Sequence, residues 1–255
     1  MEETLDSIIK KIYRFGDSQV KLAILCILVL IAAMSPFVFQ LAIGLGAIIL
    51  AIYFISLISG LSFINKITKL KEITYGLKII GVGFFLLFIY ICLLGYYYTR
   101  FGDFSLAVEF KIALTIPIIL TGLGFVLLGL GIKKLGSDNN VDLIIFAGIL
   151  LAIISAIETL LNTISIFAEY HIASWIEGLS FLLSLLFLII FYEGGEGFKR
   201  LAKRLSEFAE KAELIGELNS RVNKKMEQAQ IRKIAKEMTV PVLLVQILAF
   251  LKVET

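Results

Sequence analysis

The chain has few of the residues on which metal centres, haem groups and disulfide frameworks depend. Its 255 residues include two cysteines and a single histidine, His171. One histidine excludes histidine-rich metal or haem ligation within one chain, and no CxxC, HExxH, GxxxxGK[ST] or GxSxG pattern occurs. We therefore expect no catalytic residue, no metal and no cofactor, and we predict that the chain is not an enzyme.

Charged residues are also scarce. Only 18% of the residues are charged, whereas 59% are hydrophobic and the mean hydropathy is +0.94. Residues 22–192 are apolar with only brief interruptions by charge. No soluble core needs such a long apolar sequence, but a membrane does. The sequence thus predicts an all-α, multi-pass protein of the cell (plasma) membrane that contacts membrane lipid and no nucleic acid.

Six transmembrane helices are predicted within residues 21–192. Residues 22–64 would form a helix of about 64 Å, twice the hydrocarbon thickness of about 30 Å, so they must form two spans. We place the turn between them at Ser35–Pro36 because proline ends or kinks a helix, with Gly44–Gly46 as the alternative. The other four spans are predicted at residues 77–96, 107–132, 141–166 and 171–192.

Basic residues are distributed unevenly between the predicted loops, and this asymmetry predicts the orientation. With six spans, both chain ends and the loops at 62–78 and 133–140 share one side and carry nearly all the lysines and arginines. The opposite side has Arg100 and, at a span edge, Lys111. Because basic loops stay in the cytoplasm, we expect both termini there.

Residues 1–20 predict an amphipathic helix that lies at the membrane interface. Apolar residues from Leu5 to Phe15 recur at helical spacing, and Lys10, Lys11 and Arg14 occupy the other side. Gly16 is expected to end this helix. A solvated helix packed on the chain's own surface is the alternative.

Residues 193–255 predict a cytoplasmic helical tail, and Gly194, Gly195 and Gly197 are expected to loosen its start. A 3.5-residue repeat over about 198–229 predicts a coiled coil, with a helix packed on its own chain as the alternative. Residues 241–253 predict an apolar helix that is too short to span and that docks on the membrane, the coil or a partner. The tail residues predicted to contact lipid headgroups are Lys199, Arg200, Lys203 and Arg204.

Glycines recur along the fourth predicted span. Gly122, Gly129 and Gly136 are seven residues apart, which is nearly two helical turns, so they lie on one face. A face without side chains lets another helix approach closely, and membrane helices gain packing energy in this way. We therefore predict that these glycines serve helix packing.

Two glutamates lie inside predicted spans, Glu158 in the fifth and Glu177 in the sixth, at similar depth on either side of a turn. Because polar residues avoid lipid, we expect a polar seam between these helices. Two carboxylates in a low dielectric resist joint ionisation, which favours a cation or proton site, and a hydrogen-bonded helix interface is the alternative. The polar neighbours assigned to this site are Ser155, Asn162 and Ser180.

Two stretches of the sequence resemble a known group of proteins. Residues 27–36 followed by Gly44–Leu50, and Lys134–Asn140 followed by Gly148–Leu150, are similar to archaeal multi-span membrane proteins of unknown function. The resemblance covers the first five spans and implies a multi-span fold. It implies no functional residues.

Together these patterns predict an integral membrane scaffold or accessory subunit. It would oligomerise through its tail and its glycine-rich helix faces, either as a homo-oligomer or as a subunit of a membrane complex. The alternative is an oligomeric channel or transporter for cations or protons that uses Glu158 and Glu177.

Overall fold

The computed structural model describes residues 4–33, 39–101, 108–168, 170–223 and 226–254. Within these ranges the chain is helical and has no strand, which confirms the all-α prediction. The helices are α1 (Leu5–Ala33), α2 (Phe39–Thr68), α3 (Lys71–Phe101), α4 (Val108–Asn139), α5 (Asp142–Phe167), α6 (Tyr170–Ala209), α7 (Ala212–Arg221), α8 (Gln228–Glu237) and α9 (Val242–Glu254).

Four helices in the described part of the chain are long and apolar enough to cross a membrane. Large apolar side chains cover their surfaces, and Phe85, Phe88 and Leu160 are between 61% and 65% exposed. Soluble monomers rarely expose extended apolar patches, whereas a bilayer requires them. The length and the exposed apolar surface of these helices are those of membrane-spanning helices. The four apolar segments are Lys71–Tyr97, Phe110–Asn139, Asp142–Phe167 and His171–Ala209.

The first two predicted spans correspond to α1 and α2. Helix α2 continues through Gly44 and Gly46, so the alternative turn at these glycines is wrong. The favoured turn at Ser35–Pro36 falls in residues 34–38, which lie outside the described residues. Helix α1 also continues through Gly16, so this glycine does not end the predicted N-terminal helix. The amphipathic segment and the first apolar segment thus form one continuous helix.

The contacts divide the chain into two units, which we call the central unit and the terminal unit. The central unit comprises Lys71–Gly131 and Gly148–Phe187. The terminal unit comprises Met1–Leu70, Ile132–Ala147 and Leu188–Thr255. It therefore combines residues from both chain ends with the turn between α4 and α5.

Glycines bring α3 and α4 together in the central unit. A Cβ atom on Gly76 would lie 2.9 Å from the carbonyl oxygen of Gly124, and one on Gly124 would lie 3.0 Å from that of Gly76. Any side chain at either position would collide with the facing backbone. These glycines therefore allow the two apolar helices to pack backbone against backbone.

Helix α9 forms the core of the terminal unit. Leu243, Leu244, Val245 and Ile247 are each 1% exposed or less, and α9 contacts α1, α2, α7 and α8. A helix that is apolar on all sides is stable when it is buried. Helix α9 therefore docks on other helices of its own chain. The sequence had left the membrane, the coil and a partner open as its docking site.

The tail differs from the single coiled helix predicted over 198–229. Helix α6 ends at Ala209, and the segment is divided among α6, α7 and α8. Apolar positions of the repeat, including Leu201, Leu205 and Val222, are buried in the chain itself. These side chains therefore pack within the terminal unit of the same chain.

Candidate functional site

The predicted polar seam lies on α5 and α6 in the central unit. The Ser180 hydroxyl donates a hydrogen bond to Asn162 Oδ1 over 3.4 Å, so the structure brings these two residues together. Glu158 is half-buried on α5, and Ser155 is buried at 3% exposure. The side chain of Glu177 lies outside the described residues. The geometry thus links α5 and α6 at one polar contact.

Other hydroxyl groups of α5 bond to their own helix. Thr159 Oγ1 donates to the Ser155 carbonyl over 2.6 Å, and Thr163 Oγ1 donates to the Thr159 carbonyl over 2.8 Å. Such bonds to the carbonyl four residues earlier satisfy a hydroxyl without help from another helix. The Ser155 hydroxyl is buried and has no hydrogen-bond partner in the described part of the chain.

The predicted packing glycines of α4 all face α5. Gly122 lies against Thr159, and a Cβ on Gly129 would lie 2.6 Å from the Gly148 oxygen and the Ala152 nitrogen. In the terminal unit a Cβ on Gly136 would lie 2.7 Å from the Ile145 nitrogen. This glycine face is therefore occupied within the chain and is not free for the predicted contact between copies.

Three of the four predicted headgroup residues line a groove of about 500 Å³ in the terminal unit, which we call the basic groove. Helix α1 forms one wall and the last turns of α6 form the other. The polar side chains lining it come from Lys10, Tyr13, Arg14, Glu196, Lys199, Arg200, Lys203 and Ser206.

A close helix crossing holds the two walls of the basic groove together. A Cβ on Gly16 would lie 2.5 Å from the Gly195 oxygen, and a Cβ on Gly195 would lie 2.7 Å from the Gly16 oxygen. Beside this crossing the rings of Phe15 and Phe198 meet edge to face with centroids 4.9 Å apart. Gly195 was expected to loosen the start of the tail, but it lies inside continuous α6 and serves this crossing.

The charge in the basic groove is strongly positive. Lys199 pairs with Glu196 over 2.8 Å. The Glu196 hydrogen bond raises the pKa of Lys199 above its ordinary value, so this lysine is charged at neutral pH. Among the described residues, the other four cations of the groove form no ion pair. They are Lys10, Arg14, Arg200 and Lys203.

Arg204, the fourth predicted headgroup residue, bonds to backbone carbonyl groups. Its Nη1 donates to the carbonyl oxygens of Asn139 and Asn140, over 3.0 and 3.5 Å. A guanidinium at a helix C-terminus satisfies carbonyl groups that lack helical partners. Arg204 therefore ties α6 to the end of α4 and does not line the basic groove.

Asn139 joins the end of α4 to the start of α9. It is 1% exposed, its Nδ2 donates to the Leu135 carbonyl, and its Oδ1 accepts from the Leu243 backbone N–H, each over 2.9 Å. A side-chain oxygen that accepts from a first-turn N–H satisfies a donor that has no helical partner. The sequence placed Asn139 in a turn but did not predict this role, because Leu243 is 104 residues away.

The two walls of the basic groove were predicted separately from the sequence. Lys10 and Arg14 were assigned to a helix at the membrane surface and the headgroup residues to a separate tail, with nothing to pair the two sets. The available signal was Gly16 on one helix and Gly195 on the other, each a few residues from an apolar stretch. Such a glycine can be recognised as the site of a close helix crossing only when the helix that packs against it is known.

No family model, curated protein or solved structure matches this chain, so its function has to be inferred from its own residues.

Proposed function

We propose that this chain is a six-span scaffold or accessory subunit of the plasma membrane, without catalytic activity and with both ends in the cytoplasm. The cytoplasmic platform would be the part of the terminal unit that lies outside the predicted spans. The observation that carries this proposal is the set of hydrogen bonds that join the tail to both basic loops. Gln228 Nε2 donates to the Thr68 carbonyl over 2.8 Å, and Arg204 donates to the Asn139 carbonyl over 3.0 Å.

These bonds support the predicted orientation. Thr68 ends α2, Asn139 ends α4, and Arg204 and Gln228 belong to the tail. Because these hydrogen bonds bring the tail to the ends of both helices, they support a topology in which the loops after α2 and α4 share one side with the tail. An even number of spans separates these loops, in agreement with the distribution of basic residues.

Labelling of single cysteines tests the orientation. In a chain with Cys26 and Cys92 replaced by alanine, Ser137→Cys and Lys233→Cys should react with an impermeant thiol reagent only from the cytoplasmic side. Arg100→Cys should react only from the outside. Labelling of positions 100 and 137 from the same side would contradict six spans.

The scaffold role is tested by the mass of the full chain extracted in a mild detergent. We expect a homo-oligomer or a stoichiometric complex with another membrane subunit, measured by native mass spectrometry. Since the glycine face of α4 and several apolar positions of the tail repeat, such as Leu201 and Leu205, are occupied within the chain, the contact would use other surfaces. A lone monomer without a partner would contradict the scaffold role.

The second candidate function is cation or proton transport along the polar seam. The Ser180–Asn162 contact supports it, because it places polar groups between two apolar helices near Glu158. Replacement of Glu158 and Glu177 with glutamine should then abolish ion flux in proteoliposomes. Glu210→Gln, on the exposed tail, is the control and should leave the flux unchanged. Equal flux in both variants would eliminate this function.

A further inference from the structure

We propose that the basic groove between α1 and α6 binds the phosphate group of an anionic lipid headgroup. The proposal rests on the proposed placement of the platform in the cytoplasm. It deepens the proposed function by assigning a ligand class to the platform. In this groove Lys10 and Arg14 lie beside three predicted headgroup residues of the tail, which are Lys199, Arg200 and Lys203.

The chemistry of the lining suits a phosphate monoester. Five basic side chains face one acidic side chain, Glu196, which is held by Lys199. Arginine presents a planar fork that bonds two phosphate oxygens, and Arg14 and Arg200 supply one fork from each wall. Hydroxyl donors are added by Tyr13 and Ser206. A cleft lined by charge of one sign concentrates the counter-ion.

The groove also has a size and form that suit such a ligand. A volume of about 500 Å³ lies within the range of about 300–1,000 Å³ that is typical of small-molecule sites. Ile9 and Ala202 are buried in its wall and give the groove an apolar floor. The crossing at Gly16 and Gly195 fixes the distance between the walls, so the cations are held near one another before the ligand binds.

The depth of the groove agrees with a headgroup that projects from the bilayer. Arg14 precedes Leu22, the start of the apolar run, by eight residues, and Arg200 follows Tyr192, its end, by eight. At about 1.5 Å per residue both arginines lie about 12 Å beyond the apolar segment. The polar layer of a bilayer is about 5–7 Å thick on each side, and long basic side chains reach toward it.

The test measures lipid binding to the full-length chain in detergent by native mass spectrometry. The probes are phosphatidic acid, whose headgroup is a phosphate monoester, and phosphatidylcholine with the same acyl chains. The variant Lys10→Gln with Lys203→Gln removes one cation from each wall. Lys233→Gln with Lys236→Gln is the matched control, because it removes the same charge from exposed positions of α8 outside the groove.

We expect wild type and control to bind phosphatidic acid more tightly than phosphatidylcholine. The groove variant should lose this affinity by roughly tenfold or more, from the attraction of two basic residues at a membrane surface. Arg14→Lys with Arg200→Lys keeps the charge but removes both forks, and should weaken binding to a smaller extent. Helix content measured by circular dichroism shows that each variant is folded.

Four results would overturn the proposal or its premise. An equal loss in the groove variant and the control would show attraction by diffuse charge, and no loss in either would show that the groove is not the site. Displacement of phosphatidic acid by millimolar inorganic phosphate would assign the groove to a soluble anion. Labelling of Lys233→Cys from outside would refute the cytoplasmic placement, whereas each of the first three results would refute the groove alone.

Discussion

The central and terminal units use their polar side chains in different ways. In the central unit, Thr121 and Thr159 each donate to the carbonyl four residues earlier in the same helix. In the terminal unit, Gln228 bonds to Thr68, 160 residues away, and also accepts from buried Gln246 over 3.0 Å. The first pattern satisfies each helix alone, whereas the second joins helices that are distant in sequence.

The difference follows from the solvent around these side chains in the proposed topology, in which the central unit faces lipid and the platform of the terminal unit faces water. Lipid offers no hydrogen bonds, so a hydroxyl on a spanning helix is satisfied most simply by its own backbone. In water an apolar helix such as α9 must be buried, and the polar groups buried with it need partners. Close glycine packing is therefore found in both units, and the long-range polar contacts of Gln228 are specific to the terminal unit.

Truncation of the α9 core should have the largest effect. Leu244 is fully buried, so Leu244→Ala should destabilise the terminal unit by about 2–5 kcal/mol through the lost contacts and the cavity. Leu160→Ala is the matched control, because Leu160 is 61% exposed on an apolar helix and should change the stability by less than about 0.5 kcal/mol. Denaturant unfolding in detergent compares them, and equal effects would contradict a core centred on α9.

A side chain on the glycine face of α4 should disturb the central unit. Gly129→Ala places a methyl group 2.6 Å from backbone atoms of α5, which cannot move aside as a side chain can, so we expect a loss of about 1–3 kcal/mol. The control is Gly81→Ala on α3, where a Cβ would meet nothing within 4 Å. Thermal unfolding measures both variants, and a stabilised Gly129→Ala would show that α4 and α5 are not in close contact.

Removal of the Asn139 amide should have an intermediate effect on the terminal unit. Asn139→Ala leaves the Leu243 N–H without its acceptor, and the loss of such a cap costs about 1–2 kcal/mol. Asn219→Ala changes an exposed asparagine and is the control. Hydrogen exchange of the first turn of α9 should rise only in the first variant. Unchanged protection there would show that the cap does not hold the helix.

Loss of the ion pair between Arg232 and Asp138 should have the smallest effect. The two side chains are 43% and 19% exposed and lie 2.7 Å apart, and partly exposed pairs contribute about 0.2–1 kcal/mol. Arg232→Gln should therefore lower the stability slightly, and added salt should reduce the difference from wild type. Lys236→Gln, which removes an exposed charge, is the comparison. A salt-independent loss would indicate packing by the arginine stem.

The apolar runs from Lys71 onward were sufficient to predict membrane helices, because length and hydropathy are local properties of a sequence. The same holds for the short apolar helix near the C-terminus, predicted at 241–253 and observed as Val242–Glu254. The spacing of Gly122 and Gly129 indicated a packing face, but it could not indicate that α5 of the same chain occupies it. The periodicity of the tail was equally ambiguous, since one apolar stripe can pack on a second copy or on its own chain.

Helical class, the apolar spans and the uneven basic charge were readable from the residues alone, because each depends on neighbours within a few turns. The burial of α9, the role of Arg204 and the meeting of Arg14 with Arg200 depend on contacts between segments far apart in sequence. Gly16 shows the reason: by itself it favours a helix end, but the facing Gly195 makes it a contact surface. Only the packed structure determines which of two locally acceptable arrangements a residue adopts.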